Sequence, residues 1–135
     1  MATDKNSAPL AMGKADFEAM AEFRYRLRRL MRHSEDVCNA SGITPLQYHL
    51  LLQTKGFPGR QWATITELAE RMQAKHHGVV ALVTRCETLG LVRRKSNLAD
   101  LRRVEIHLTA KGEQQVEMLV RLHRNEMGFS GPVAM

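Results

Sequence analysis

From Asp16 to about Asn39 the positions Met20, Phe23, Leu27, Leu30, Ser34 and Val37 recur at three-four spacing. That is the seam of a helix that packs along its length. Arg24, Arg28, Arg29 and Arg32 fall mostly off it. The seam alone does not distinguish a core from a partner surface. Gly42 closes the segment. Thr44-Pro45-Leu46-Gln47 then opens a second helix: Thr44 caps it, Pro45 fits the first helical position, and Gln47 completes a capping box. This helix runs through Tyr48, Leu50, Leu51 and Leu52 to Gly56, and Phe57-Pro58-Gly59 is a break. Trp62 and Ala63 form a short strand. Thr64-x-x-Glu67 is a second capping box, starting a helix to about Met72. After a turn from Gln73 to Lys75, Val79, Leu82, Val83 and Cys86 keep helical spacing from His76 to Leu89, with Gly90 at the C′ position. Leu91 to Arg94 begins a strand. Val104, Ile106 and Leu108 alternate with Arg103, Glu105 and His107 in a second, and Ser96, Asn97 and Asp100 occupy the turn between them. Thr109 caps a last helix with Val116, Leu119, Val120 and His123 along one side.

The stretch from Thr64 to Gly112 therefore reads as helix, turn, helix and basic hairpin. Such a unit offers one helix to the major groove of duplex DNA and a cationic loop beside it. Composition agrees. The 135 residues carry a net charge of +6, and Arg85, Arg93, Arg94, Lys95, Arg102 and Arg103 crowd one region. Clustering is better evidence for an anionic partner than total charge. An aromatic content of 5% argues against a stacking surface for single strands. Cys38 and Cys86 lack metal-site spacing and fit a reduced, cytoplasmic setting. No membrane segment and no signal peptide are expected.

On the second helix of the pair, His76, His77, Val80, Ala81 and Thr84 lie off the core stripe and can face the groove. Val80 and Ala81 have the chemistry to meet thymine methyl groups, and His77 to bond a base or phosphate. Lys75 and His76 oppose the helix dipole, a penalty that a bound phosphate reverses. The plainer reading is a solvated helix end. Histidines among phosphates would make DNA affinity rise with acidity. Gly78 costs this helix about 1 kcal/mol relative to Ala, and two explanations stand level: close approach to DNA, or close packing on the preceding helix. Arg93, Arg94, Lys95 and Arg103 are expected phosphate contacts. Arg85 is either another or a scaffold residue that holds the hairpin, the latter slightly favoured.

Cys86 falls on the apolar stripe and reads as core, whereas Cys38 is expected at the surface. His76 and His77 point about 100° apart on a helix, unsuited to chelating one ion. No metal or cofactor is expected. His49 and His107 read as partly buried polar residues or as walls of a ligand pocket. No phosphate-binding glycine loop or nucleophile elbow is present, so no enzyme is expected.

At this point the residues resemble those of a known family, MarR (multiple antibiotic resistance regulator). ITPLQYHLLL is similar to that family's second helix and ITELAERM to its third. LVTRCETLGLVRR resembles the end of its recognition helix and first wing strand. ADLRRVEIHLTAKG resembles the second wing strand and next helix cap, with the family's Asp-x-Arg at Asp100 and Arg102. The resemblance implies a mainly α fold with a small β-hairpin wing (α+β): a winged helix-turn-helix with a helical dimerisation region. The implied layout is a flexible arm over 1–14, a dimerisation helix over 15–42 and the DNA-binding domain over 43–108. A second dimerisation helix over 109–128 and a loose tail over 129–135 complete it. Arg102 would enter a minor groove, oriented by Asp100. Met20, Phe23, Leu27, Leu30, Leu119 and Val120 would join a homodimer. The implied function is a bacterial, cytoplasmic repressor of a pseudo-palindromic operator, with a small-molecule effector as a further partner. Tyr25, Met31, Tyr48 and Trp62 are candidate effector walls. The alternative is an architectural or protein-interaction module without a specific operator. Two departures stand out. Lys75-His76-His77-Gly78 replaces the usual Ser or Thr near the start of the recognition helix. The chain is also short at its C-terminus, so the usual final helix is expected truncated or missing.

Overall fold

The computed structural model describes residues 10–127. The tail expected over 129–135, and all but the last residues of the arm expected over 1–14, lie outside the described residues. The elements are α1 (Lys14–Ala40), α2 (Pro45–Lys55), β1 (Trp62–Thr64), α3 (Ile65–Met72), α4 (His76–Thr88), β2 (Val92–Ser96), β3 (Val104–Leu108) and α5 (Ala110–Met127). The fold is mainly helical, with one antiparallel sheet in the order β1-β3-β2. Compactness divides the chain into two units between Arg32 and His33, within α1. Among the described residues, no helix is long and apolar enough to cross a membrane.

Both capping boxes form as their spacing predicts. Thr44 accepts from the Gln47 N–H at 3.1 Å while the Gln47 side chain takes the Thr44 N–H at 3.0 Å. Thr64 accepts from the Glu67 N–H at 3.3 Å, and Glu67 Oε1 takes the Thr64 N–H at 2.9 Å. Each box satisfies donors that the first helical turn leaves open.

In the first unit the seam of α1 stays open: Phe17, Met20 and Phe23 are exposed, as is Tyr25. In the second unit the last turns of α1 join a core built from Leu50, Leu51, Leu68, Val79, Val83, Ile106 and Leu119. Two expectations change here. Cys38 is fully buried rather than at the surface, because Val37 and Cys38 pack on that core. Its thiol is pushed up by burial, against an opposing hydrogen bond from Ser34. Leu119, read as a dimer contact, is 0% exposed within the single chain and is therefore core. The exposed apolar residues of α5 are instead Met118 and Leu122. Cys86 is core as expected, its thiol pushed up by burial to about 11.

The start of α5 is fastened to the end of α4. Thr109 Oγ1 donates to the Gly90 carbonyl at 2.6 Å and Lys111 Nζ to the Leu89 carbonyl at 2.9 Å. Gly112 completes this join: a Cβ there would lie 2.0 Å from the Leu91 carbonyl oxygen, so only glycine lets the two segments meet.

Candidate nucleic-acid interface

Helices α3 and α4 are joined by a turn whose first residue, Gln73, takes the left-handed conformation at φ 51°. Its N–H bonds the Glu70 carbonyl at 3.1 Å, and Ala74 N–H bonds the Ala69 carbonyl at 3.0 Å. These bonds close the end of α3 and aim the chain into α4. Val79, Val83 and Cys86 bury one stripe of α4. The same periodicity puts Val80, Ala81, Thr84 and Arg85 on the exposed face, as expected. Lys75 stands at the N-cap without a side-chain cap bond, and Lys75, His76, His77 and Gly78 are all exposed. At Gly78 an added Cβ would meet nothing within 4 Å. Close packing on the preceding helix is therefore not the reason for glycine here. Its φ is not positive either.

Strand β2 pairs with β3 so that Arg93 faces His107, Arg94 faces Ile106 and Lys95 faces Glu105. Alternation puts Arg94 on the side of buried Val92, toward α4. There its Nη2 donates to Thr84 Oγ1 at 3.1 Å and its Nη1 pairs with Glu87. The scaffold role considered for Arg85 thus falls to Arg94, which was expected to contact phosphate. The side chains of Arg85, Arg93 and Lys95 are exposed and make no hydrogen bond or ion pair among the described residues. Thr84 is partly committed: its hydroxyl also donates to the Val80 carbonyl at 3.0 Å.

At the wing tip Asp100 and Arg102 pair as expected. Asp100 Oδ1 accepts the Arg102 backbone N–H and Nε, each at 3.1 Å. The Arg102 hydrogen bonds hold the Asp100 carboxyl below its ordinary range. Arg102 is still 91% exposed at its side chain, oriented yet available.

One cluster was not legible in the pattern. Arg60 lies over the rings of Trp62 and Phe57, 3.9 and 4.4 Å from their centroids, and pairs with Glu67. Arg103 reaches the same carboxylate at 4.0 Å. Glu67 is thus cap, ion-pair partner and tie to the wing at once. Burial pushes its carboxyl up, but the bonds from Thr64 and Arg60 outweigh that and hold it below the ordinary value. Arg60 sits in an aperiodic loop, and only the later position of Glu67 in a capping box hinted at a partner. Thr66, Glu67, His76, Arg102 and Arg103 line one open depression between α3, α4 and the wing.

Of the candidate effector walls, Tyr48 is buried and stacks on His123 with centroids 4.4 Å apart. Trp62 is half-buried against Arg60 and His107. Tyr25 and Met31 are exposed on α1. His49 and His107 are half-buried, as expected.

Comparison with known proteins fits this geometry. Residues 41–103 match the model of the MarR family. Over 76 residues the chain is 32% identical to the HTH-type transcriptional repressor MdtR of Bacillus subtilis, a match covering 56% of this chain and 47% of that protein. The chain thus spans about half the length of this curated relative. A MarR family protein from Bacillus stearothermophilus shares the fold with a TM-score of 0.76 at 24% identity, covering 87% of this chain and 81% of that one. The reduced form of AbfR, solved bound to DNA, has a TM-score of 0.63 at 24% identity, covering 80% and 77%. The matching segment is centred on the helix pair and wing, and the chain carries the winged-helix fold of the MarR proteins that it resembles.

Proposed function

We propose that this protein is a sequence-specific, DNA-binding transcriptional regulator: a dimeric repressor of a pseudo-palindromic operator, released by a small-molecule effector. The observation that carries the reading is the start of α4. Lys75, His76 and His77 stand exposed at a helix N-terminus without a side-chain cap, beside a wing whose Arg93, Lys95 and Arg102 face solvent. A phosphate there would meet open N–H groups and the positive end of the helix dipole. In this reading Val80 and Ala81 meet base edges in the major groove, and Arg85, Arg93 and Lys95 meet phosphates. Arg102 enters the minor groove, while Arg94 and Arg103 hold the wing. AbfR is a fold neighbour solved on DNA, and the curated relative is named a repressor. The homodimer is supported by the exposed Phe17, Met20, Phe23 and Leu27 of α1 and the exposed Met118 and Leu122 of α5. In this reading the protein binds rather than catalyses.

Selection from a random duplex pool at near-physiological salt tests the proposal. An enriched palindrome with half-sites about one helical turn apart is expected. Binding without an enriched motif, lost as salt rises, would replace the operator reading with an architectural one.

A further inference from the structure

The tip of the wing, residues 97–103, is held together by its own polar groups. Asn97 Oδ1 accepts the backbone N–H groups of Ala99 and Asp100, both at 2.9 Å. Asn97 N–H donates to the Arg103 carbonyl at 3.1 Å, and Arg103 N–H to the Asp100 carbonyl at 3.0 Å. Asp100 in turn binds Arg102. None of these bonds involves an apolar side chain. Leu98 and Leu101 are nevertheless part of this tip, 90% and 74% exposed. They are the two most exposed large apolar residues among those described in the second unit. A single exposed leucine needs no explanation. Two on one polar-braced loop, doing nothing for its shape, call for something outside the chain.

The surroundings say what kind of partner fits. Arg93, Lys95 and Arg102 are exposed nearby. The local carboxylates are engaged: Asp100 by Arg102, and Glu105 by Asn97 at 2.9 Å and His107 at 2.8 Å. The surface is apolar and cationic, which disfavours a second copy of the same tip. It complements a groove with a polyanionic rim and apolar sugar walls, and leucine is among the side chains that enter minor grooves. We propose that Leu98 and Leu101 enter the minor groove with Arg102 and pack on its sugar and base edges. They thereby give the wing a share of affinity that salt does not screen. This rests on the DNA-binding reading above, and extends it from charge to apolar contact.

The test compares full-length wild type, Leu98→Ser/Leu101→Ser and Arg102→Ala on a fluorescent duplex carrying the selected operator, by anisotropy across a salt series. The double variant should bind about tenfold more weakly with an unchanged slope of log affinity against log salt. Arg102→Ala should make that slope shallower by about one. Leu98→Met/Leu101→Met should bind like wild type, and guards against a folding effect of the serines. Wild-type binding matched within about twofold by the serine variant would overturn the leucine proposal and leave the DNA reading standing. No duplex binding by wild type would overturn both. If the serines abolish binding to phosphatidylserine vesicles while duplex affinity holds, the leucines serve a lipid surface and the proposal fails.

Discussion

Helices α3 and α4 begin in opposite ways. The start of α3 is saturated from within the chain: Thr64 and Glu67 cap each other, and Arg60 and Arg103 close on the same carboxylate. The start of α4 has a lysine at the cap position, two histidines and a glycine, all exposed, with no side-chain cap. The capping box of α3 is favourable even for an isolated helix; the lysine, histidines and glycine of α4 each cost something. A chain that caps one helix fully and leaves its neighbour open is not short of capping chemistry. In the DNA-binding reading proposed above, the difference separates a helix that holds position from one whose donors meet a partner.

Five substitutions, one of them read by its pH dependence, bear on that contrast. The largest effect is expected from Glu67→Ala. It removes the cap partner and strands Arg60 between two rings, and should cost about 2 kcal/mol of stability by denaturant unfolding. A loss near zero would mean that the saturated end matters little. Lys75→Asp should act in reverse. It gives α4 a cap and a favourable charge, raising the melting temperature slightly, yet it should weaken duplex binding about tenfold, a change of about 1.4 kcal/mol. Unchanged binding would dissociate the open end from DNA. Thr64→Ala should cost about 1 kcal/mol, read by chemical denaturation, with operator preference in a competition assay unaltered.

Gly78→Ala separates fold from function most directly. Its Cβ meets open space, so helix propensity should raise stability by up to about 1 kcal/mol. If the backbone approaches DNA closely, affinity should fall in the same protein. A variant that is more stable and binds as tightly would leave the glycine without a binding role. The smallest effect concerns acid. Glu67 is held below its ordinary value of 4.5 in the folded state. Its contribution is therefore complete above that value and is lost as pH falls through the lower folded one. Glu67→Gln keeps a capping side chain but removes the charge, so the melting temperature should fall less steeply below pH 4.5 than in wild type.

Much of this was legible along the chain. The two capping boxes, the break at Phe57-Pro58-Gly59, the buried stripe of α4 and the alternation of Val104, Ile106 and Leu108 in β3 all follow from neighbours a few residues apart. The salt bridge of Asp100 with Arg102 belongs with them, as a contact between residues two apart. Other assignments missed for a common reason. Cys38 shares its helix with an exposed seam, and periodicity does not say where along a long helix the cover begins. Leu119 was placed on the right stripe of α5, but that stripe turns inward. The bonds of Arg94 to Thr84 and Glu87 likewise join β2 to α4 across the fold, where no local pattern announces them.

Local order in this protein comes from interactions that span three or four residues, so helix starts, turns and the hairpin are written in the amino-acid sequence. The same holds for the concentration of positive charge on the wing. Which surfaces are covered depends on contacts between residues far apart in the chain. Packing alone settles that Arg60 and Arg103 meet at Glu67, that Gly112 must admit the Leu91 carbonyl, and that Gly78 faces open space. Burial and long-range ion pairing are properties of the assembled layers, and no single segment contains them.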